Sequence, residues 1–356
     1  MAEILGLGLS HYPPLSTPDA QMAGILRMTL KDPGIPAERK LAQNWAPAMQ
    51  AEWGDDQGVA AAAVHRAALV EQFRRVRAAL DDFKPDVVLI WGDDQYENFK
   101  EDIIPPFTVC AYDDMDLYPW RHAQGSSMMA NGKANAWGEG QDMHYRLKGR
   151  RDIGKYLTCG LLDAGFDMAY AYKPLHHESL AHAFTNAILY LDYDRKGWDY
   201  PTLAVPINCY GRKVISARGF ITNVDDKLDL DPPGPSPARC MDMGAATARI
   251  LRDSPWRVAL IASSSWSHAF LCDRTSRLCP DTPSDRVLYR ALVEQNHGVW
   301  RGNTTEDFEN AGQQELLNWC PLLGAMGELG ASLSWSNFVE THVFNSNKVF
   351  AIYQPA

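Results

Sequence analysis

The stretch VVLIWGDDQYENF, Val87 to Phe99, decides the fold. Its five leading apolar residues run without a polar break, the length and character of a buried strand. Gly92 closes the run, Asp93, Asp94 and Gln95 follow, and aromatic bulk returns only with Tyr96 and Phe99. In α/β proteins the tips of buried strands collect the side chains of the site. Two carboxylates and a carboxamide therefore stand where a ligand is expected.

Working outward, short apolar runs of the same kind recur at 3–9 (EILGLGL), 107–112 (FTVCAY), 168–172 (MAYAY), 202–209 (TLAVPINC), 257–263 (RVALIAS) and 348–354 (KVFAIYQ). Between them, apolar residues step by three and four over roughly 59–82, 152–165, 179–191, 241–253, 285–296 and 306–328, which predicts helices. Strands alternating with helices make an α/β layered fold. Pro- and Gly-rich pieces at 12–19, 103–107, 130–142 and 229–240 read as loops within one domain spanning 1–356, because similar apolar segments continue on both sides. The 130–142 piece has little to build a core with and reads as a flexible loop over a site.

The chain has 356 residues, 46% of them hydrophobic and 22% charged, with a net charge of -10, within the range of a globular protein. The basic residues are scattered apart from RLKGRR at 146–151, so nucleic-acid binding is not expected. The first residues, MAEILGLGLS, lack a basic leader with a long apolar run, and nowhere do about eighteen apolar residues follow one another. The expectation is a cytoplasmic protein without a membrane partner. Seven cysteines without a CxxC pair predict buried apolar residues, not a disulfide framework or a zinc site.

Ionisable residues follow several of the apolar runs. His11 precedes Tyr12-Pro13-Pro14, a rigid exit that holds the imidazole at a strand tip. A metal ligand and an ordinary hydrogen-bonded histidine both fit there. His176 and His177 precede a predicted helix with Ser179 as its N-cap, a place that suits a general base, although one of the pair packing in a turn is the plainer account. His268 ends ALIASSSWSHAF, whose small residues admit a ligand or bond their own backbone, and no G-x-S-x-G elbow accompanies the serines. Glu315 lies in a helix-like stretch beside Leu316, Leu317 and Trp319, where an inward carboxylate needs a partner and an outward one only water.

The segments LSHYPPL, PDVVLIWGDDQYENFKEDIIPPF, HHESLAHAF, SSSWSHAF and AGQQELLNW resemble, in order and spacing, the blocks of the class III extradiol ring-cleavage dioxygenases. That is the family of the protocatechuate 4,5-dioxygenase β subunit and the 2,3-dihydroxyphenylpropionate dioxygenases. The resemblance implies a mixed β-sheet core flanked by helices, with added sequence near 20–57, 113–150 and 213–240. It implies a non-haem Fe(II) cofactor, a small aromatic substrate, O2, and a homo-oligomer. His11 looks like the first metal ligand and Glu315 like the carboxylate ligand. His177 resembles the histidine that assists substrate deprotonation, and His268 the acid/base histidine near oxygen.

One position departs from the pattern. The family's second strand ends in Asp-His, and that histidine is a ligand; here Asp94-Gln95 stands in its place. A carboxamide oxygen is a weaker, harder donor than imidazole. Three outcomes stay open: Gln95 or Asp94 completes the metal site, another histidine such as His176 steps in, or the metal is lost. The first two predict a ring-cleaving enzyme for a catechol-like or aminophenol-like compound. The third predicts a noncatalytic partner subunit, and a metal enzyme of non-oxidative chemistry is a further alternative. Arg121, His122 and Lys133 are candidates for a substrate carboxylate.

Overall fold

In the computed structural model, which describes residues 2–121, 134–214, 217, 223–224 and 226–355, the Val87 run is the strand β2 (Val87–Asp93). The other strands are β1 (Ile4–Leu9), β3 (Thr108–Cys110), β4 (Met115–Leu117), β5 (Tyr145–Leu147), β6 (Ala169–Ala171), β7 (Thr202–Ile207), β8 (Val258–Ser263), β9 (Leu333–Val339) and β10 (Lys348–Tyr353). Eight of them form one sheet in the order β6-β3-β7-β2-β8-β1-β10-β9, and β4 pairs β5 separately. The four central strands β7, β2, β8 and β1 are parallel, whereas β10 and β9 add antiparallel on one side and β3 pairs β7 antiparallel on the other. The mixed sheet expected for the fold is thus present.

Six longer helices cover the sheet: α1 (Val59–Phe83), α2 (Arg151–Asp163), α3 (His182–Leu191), α4 (Pro237–Arg252), α5 (Thr282–Val293) and α6 (Trp319–Leu329). Along β2, Val87, Leu89 and Trp91 pack with α2, α4, α5 and α6, while Val88 and Ile90 pack with α1 and α3. Burial on both faces is why the run shows no polar alternation. On β1 the small residues have a specific use: a Cβ at Gly8 would fall inside the Trp319 ring, and one at Gly6 onto Met326. These glycines let α6 lie directly on the backbone of β1.

Several boundaries differ from the sequence expectation. The predicted 306–328 helix is broken into Thr305–Asn310, a tight turn Gln314–Asn318, and α6. Gly312 breaks it at φ 69°, where its carbonyl accepts the backbone N–H of His268 at 2.7 Å and a Cβ would meet the His268 carbonyl. The predicted 179–191 helix begins only at His182, with Ala181 and not Ser179 as its cap. Helix α4 begins earlier than expected, at Pro237, because Ser236 caps it through the Arg239 N–H at 3.2 Å and Pro237 suits the first turn.

The added 20–57 segment is fixed to the body. The Glu52 carboxylate accepts from Thr341 Oγ1 at 2.6 Å and Val343 N at 3.0 Å, and Asp32 accepts from Val224 N at 2.8 Å. No described helix is long and apolar enough to cross a membrane. All seven cysteines are free, and five of them are buried.

Candidate metal centre

Because β1, β2, β7 and β8 are parallel, their carboxyl ends meet on one side of the sheet, with Leu9 beside Ser263 and Asp93 beside Ile207. Five ionisable side chains converge there, all nearly without solvent: His11 0%, Asp93 0%, Glu315 1%, His182 3% and His268 3% exposed. His11 Nε2 lies 3.5 Å from Glu315 Oε2 and 3.8 Å from Asp93 Oδ1. His182 Nε2 lies 4.0 Å from Asp93 Oδ2, and the two imidazoles meet edge to face at 5.0 Å. Ligand atoms of His11, Asp93 and His182 all fall within 4.8 Å of one another, the spacing of groups around one cation.

The orientation of each ring follows from its other nitrogen. Ser263 Oγ donates its hydrogen to the Ala183 carbonyl at 2.9 Å, so at 3.2 Å it can only accept from His11 Nδ1. The hydrogen of His11 is therefore on Nδ1, and Nε2 turns a lone pair toward the two carboxylates. Burial, opposed by Glu315, lowers the His11 pKa to about 4, which keeps that lone pair available. His182 is held in the same way: Glu97 Oε2 takes its Nδ1 at 2.9 Å and the two carboxylate oxygens of Glu97 also take its backbone N–H at 3.1 and 3.2 Å. Both rings thus present Nε2 inward, fixed by an outer partner, as metal-bound histidines commonly are.

Glu315 sits in the Gln314–Asn318 turn that Gly312 creates. Its Oε2 accepts from Ser265 N at 3.1 Å, while Oε1 meets the Tyr210 hydroxyl and His268 Nε2, the latter at 3.1 Å. Burial alone would raise its pKa, but His268, His11 and Tyr210 bring it down to about 2. Asn318 ties the strand tips together, donating to Asp93 Oδ1 at 3.0 Å and to the Ser263 carbonyl at 3.2 Å. Burial and the neighbouring Glu315 push the Asp93 carboxyl well above its ordinary range. His182 shows the complementary response: against burial, Glu97, Asp93 and Glu315 raise its pKa to about 10. The cluster is rich in carboxylates that need a positive charge.

His11 Nε2 and Asp93 Oδ2 are buried with no hydrogen-bond partner among the described residues. Buried polar atoms without partners are costly, and two in one cluster, His11 Nε2 3.8 Å from Asp93 Oδ1 and Asp93 Oδ2 4.0 Å from His182 Nε2, fit a cation among them. The donor set of imidazoles and carboxylates suits a borderline divalent metal such as Fe(II).

Other residues singled out in the sequence make contacts of their own. Asp94 turns away from it: Oδ1 accepts the N–H groups of Glu97, Asn98 and Phe99 at 2.9, 3.0 and 3.1 Å, and Oδ2 that of Asn98 at 2.9 Å. It braces the loop after β2. Gln95 is half-buried in that loop. His176 is exposed and bonds Asp102 at 2.8 Å, and half-buried His177 accepts from Ser179 N at 3.2 Å. Arg121 stacks on Tyr118 at 3.5 Å, whereas His122 and Lys133 lie outside the described residues.

Sequence reasoning singled out neither Asp93 as the carboxylate facing the cluster nor His182 at all. Strand parity was the signal for the first, since Leu89, Trp91 and Asp93 share one face of β2. For the second it was HAFTNAILYL, an entirely buried segment that opens on a histidine.

Comparison with known proteins points to aromatic ring-opening dioxygenases. Residues 229–351 match the family model described as the catalytic LigB subunit of aromatic ring-opening dioxygenase. A 2,3-dihydroxyphenylpropionate/2,3-dihydroxicinnamic acid 1,2-dioxygenase of Pseudomonas putida is 24% identical over 251 residues, covering 66% of this chain and 65% of that protein. The enzyme of the same name from Comamonas testosteroni is 23% identical over 207 residues, 58% of this chain and 50% of its own. That of Paraburkholderia xenovorans is 27% identical over 192 residues, 54% and 46% respectively. The alignments therefore span about half to two thirds of the length of these relatives. With the LigB match at 229–351 they make the chain similar to aromatic ring-opening dioxygenases, and the mixed α/β sheet agrees with that likeness.

Proposed function

We propose that the protein is a non-haem Fe(II) ring-opening dioxygenase acting on a catechol-like or aminophenol-like aromatic compound with O2. The observation that carries this reading is the pair of buried partnerless atoms at the carboxyl ends of parallel strands: His11 Nε2, 3.5 Å from Glu315, and Asp93 Oδ2, 4.0 Å from His182 Nε2. His11 and Glu315 would hold the ion, as the sequence resemblance implies. When bound, such an ion would hold substrate hydroxyls and O2 together and favour loss of the hydroxyl protons.

The side chains around that point fit proton handling. His268 donates Nε2–H to Glu315, so Nδ1 is the atom left to take or give a proton. His177 accepts a backbone N–H at Nδ1, which leaves the ring hydrogen of its neutral form on Nε2. The hydroxyls of Ser264 and Ser265, buried without partners among the described residues, offer further polar contacts to a bound ligand.

The test is oxygen consumption by anaerobically Fe(II)-loaded protein over a panel of catechols, aminophenols and gallate-type triols, with metal content determined on the same sample. Uptake matched to a ring-opened chromophore is expected. Turnover under argon would instead mean non-oxidative chemistry, and protein that takes up no metal would mean a noncatalytic partner subunit. A cytoplasmic homo-oligomer remains the working expectation for the assembly.

A further inference from the structure

We infer that the second imidazole of the metal centre is His182, delivered from the first turn of α3 by Glu97, and that this dyad replaces the strand-tip histidine for which Gln95 stands. The inference rests on the metalloenzyme reading above and concerns how this chain builds the site.

The geometry of the β2 tip supports it step by step. Asp94, which the pattern places next to the ligand, gives both oxygens to the amides of residues 97–99. Tyr96 at φ 59° helps turn the chain, and the loop so formed buries Glu97. Glu97 in turn grips His182 at Nδ1 and at its backbone N–H, both from one carboxylate. It thereby satisfies an otherwise open N–H at the helix start and fixes the ring in the same contact. The tip of β2 has become the scaffold of a ligand carried by another element. His182 Nε2 then reaches the same point as His11 Nε2 and Asp93, while Gln95 stays half-buried in the loop.

The experiment uses the full-length protein loaded with Cu(II) as a spectroscopic probe, and with Co(II) for affinity by chelator competition. The wild type is expected to show nitrogen hyperfine coupling from two imidazoles in EPR, His182→Ala from one, and Gln95→Ala from two with unchanged Co(II) affinity. Glu97→Gln, which keeps the side-chain shape, is expected to weaken Co(II) by about 10- to 100-fold, the usual effect of losing an outer partner of a ligand. Circular dichroism confirms that each variant is folded, and Glu97→Gln decides the matter if His182→Ala is not. Two imidazoles persisting in His182→Ala, an unchanged affinity in Glu97→Gln, or metal lost from Gln95→Ala would overturn the inference while leaving the metal site standing. A wild type that binds neither ion would overturn the metalloenzyme reading itself.

Discussion

Asp93 and Asp285 are both fully buried carboxylates, and their surroundings differ in kind. Asp285 is saturated: it accepts from Ser267 Oγ at 2.5 Å, Gln313 Nε2 at 2.7 Å, Asn347 Nδ2 at 2.8 Å and Ser267 N at 3.2 Å. Among the described residues Asp93 has one side-chain donor, Asn318, and shares its space with Glu315. A saturated carboxylate holds a loop in place, here the one carrying His268 on one side and Gln313 and Glu315 on the other. An unsaturated carboxylate beside another, with the lone pair of His11 Nε2 turned toward it, has been left for a ligand. The two aspartates separate support from chemistry within one site.

The comparison breaks most visibly at Glu315. Replacing it with Ala should abolish metal binding and oxygen uptake, well beyond the roughly 10- to 100-fold loss that removing an outer partner causes; chelator competition measures it. Asp285→Ala should unfold more readily, by about 3 kcal/mol, since it orphans several buried donors; urea midpoints check this. Saturating the wild type with Co(II) at 100 times its dissociation constant should stabilise it by about 2.7 kcal/mol, an increment absent from Glu315→Ala. Asp93→Asn should cost the metal-free protein nothing and raise its stability by up to about 1 kcal/mol, because it removes a crowded negative charge; the same variant should bind metal more weakly. His176→Ala, which loses only an exposed contact to Asp102, should leave metal affinity unchanged.

The strands were legible because their apolar runs are buried on both faces, as Val87–Trp91 is between two helical layers. His11, His268 and Glu315 could be picked out because each follows or adjoins such a run, and the structure brings the three together. Where the reading fell short, local sequence was the wrong length scale. The break at Gly312 answers to the His268 carbonyl, more than forty residues away in sequence. His182 looked like a residue inside a helix because Ser179 offered a plausible cap, and only the long-range contact to Glu97 starts the helix at the histidine. β4, β5 and β9 went unread; β4 and β5 are three residues each, and β9 is an only half-buried edge strand.

The candidate centre draws its side chains from positions 11, 93, 182, 268 and 315, so no short portion of the chain contains it. The segment matched to the family model holds His268 and Glu315 but neither His11, Asp93 nor His182. The central parallel pairings, β1 with β8 and β2 with β8, close very long loops, the slow kind of event in folding. A chain still emerging from the ribosome therefore has no pocket for an ion until β8 and the turn at Glu315 have been made and docked. Capture of a metal would then be a late event in the life of each molecule, and a partly made chain would hold no ion.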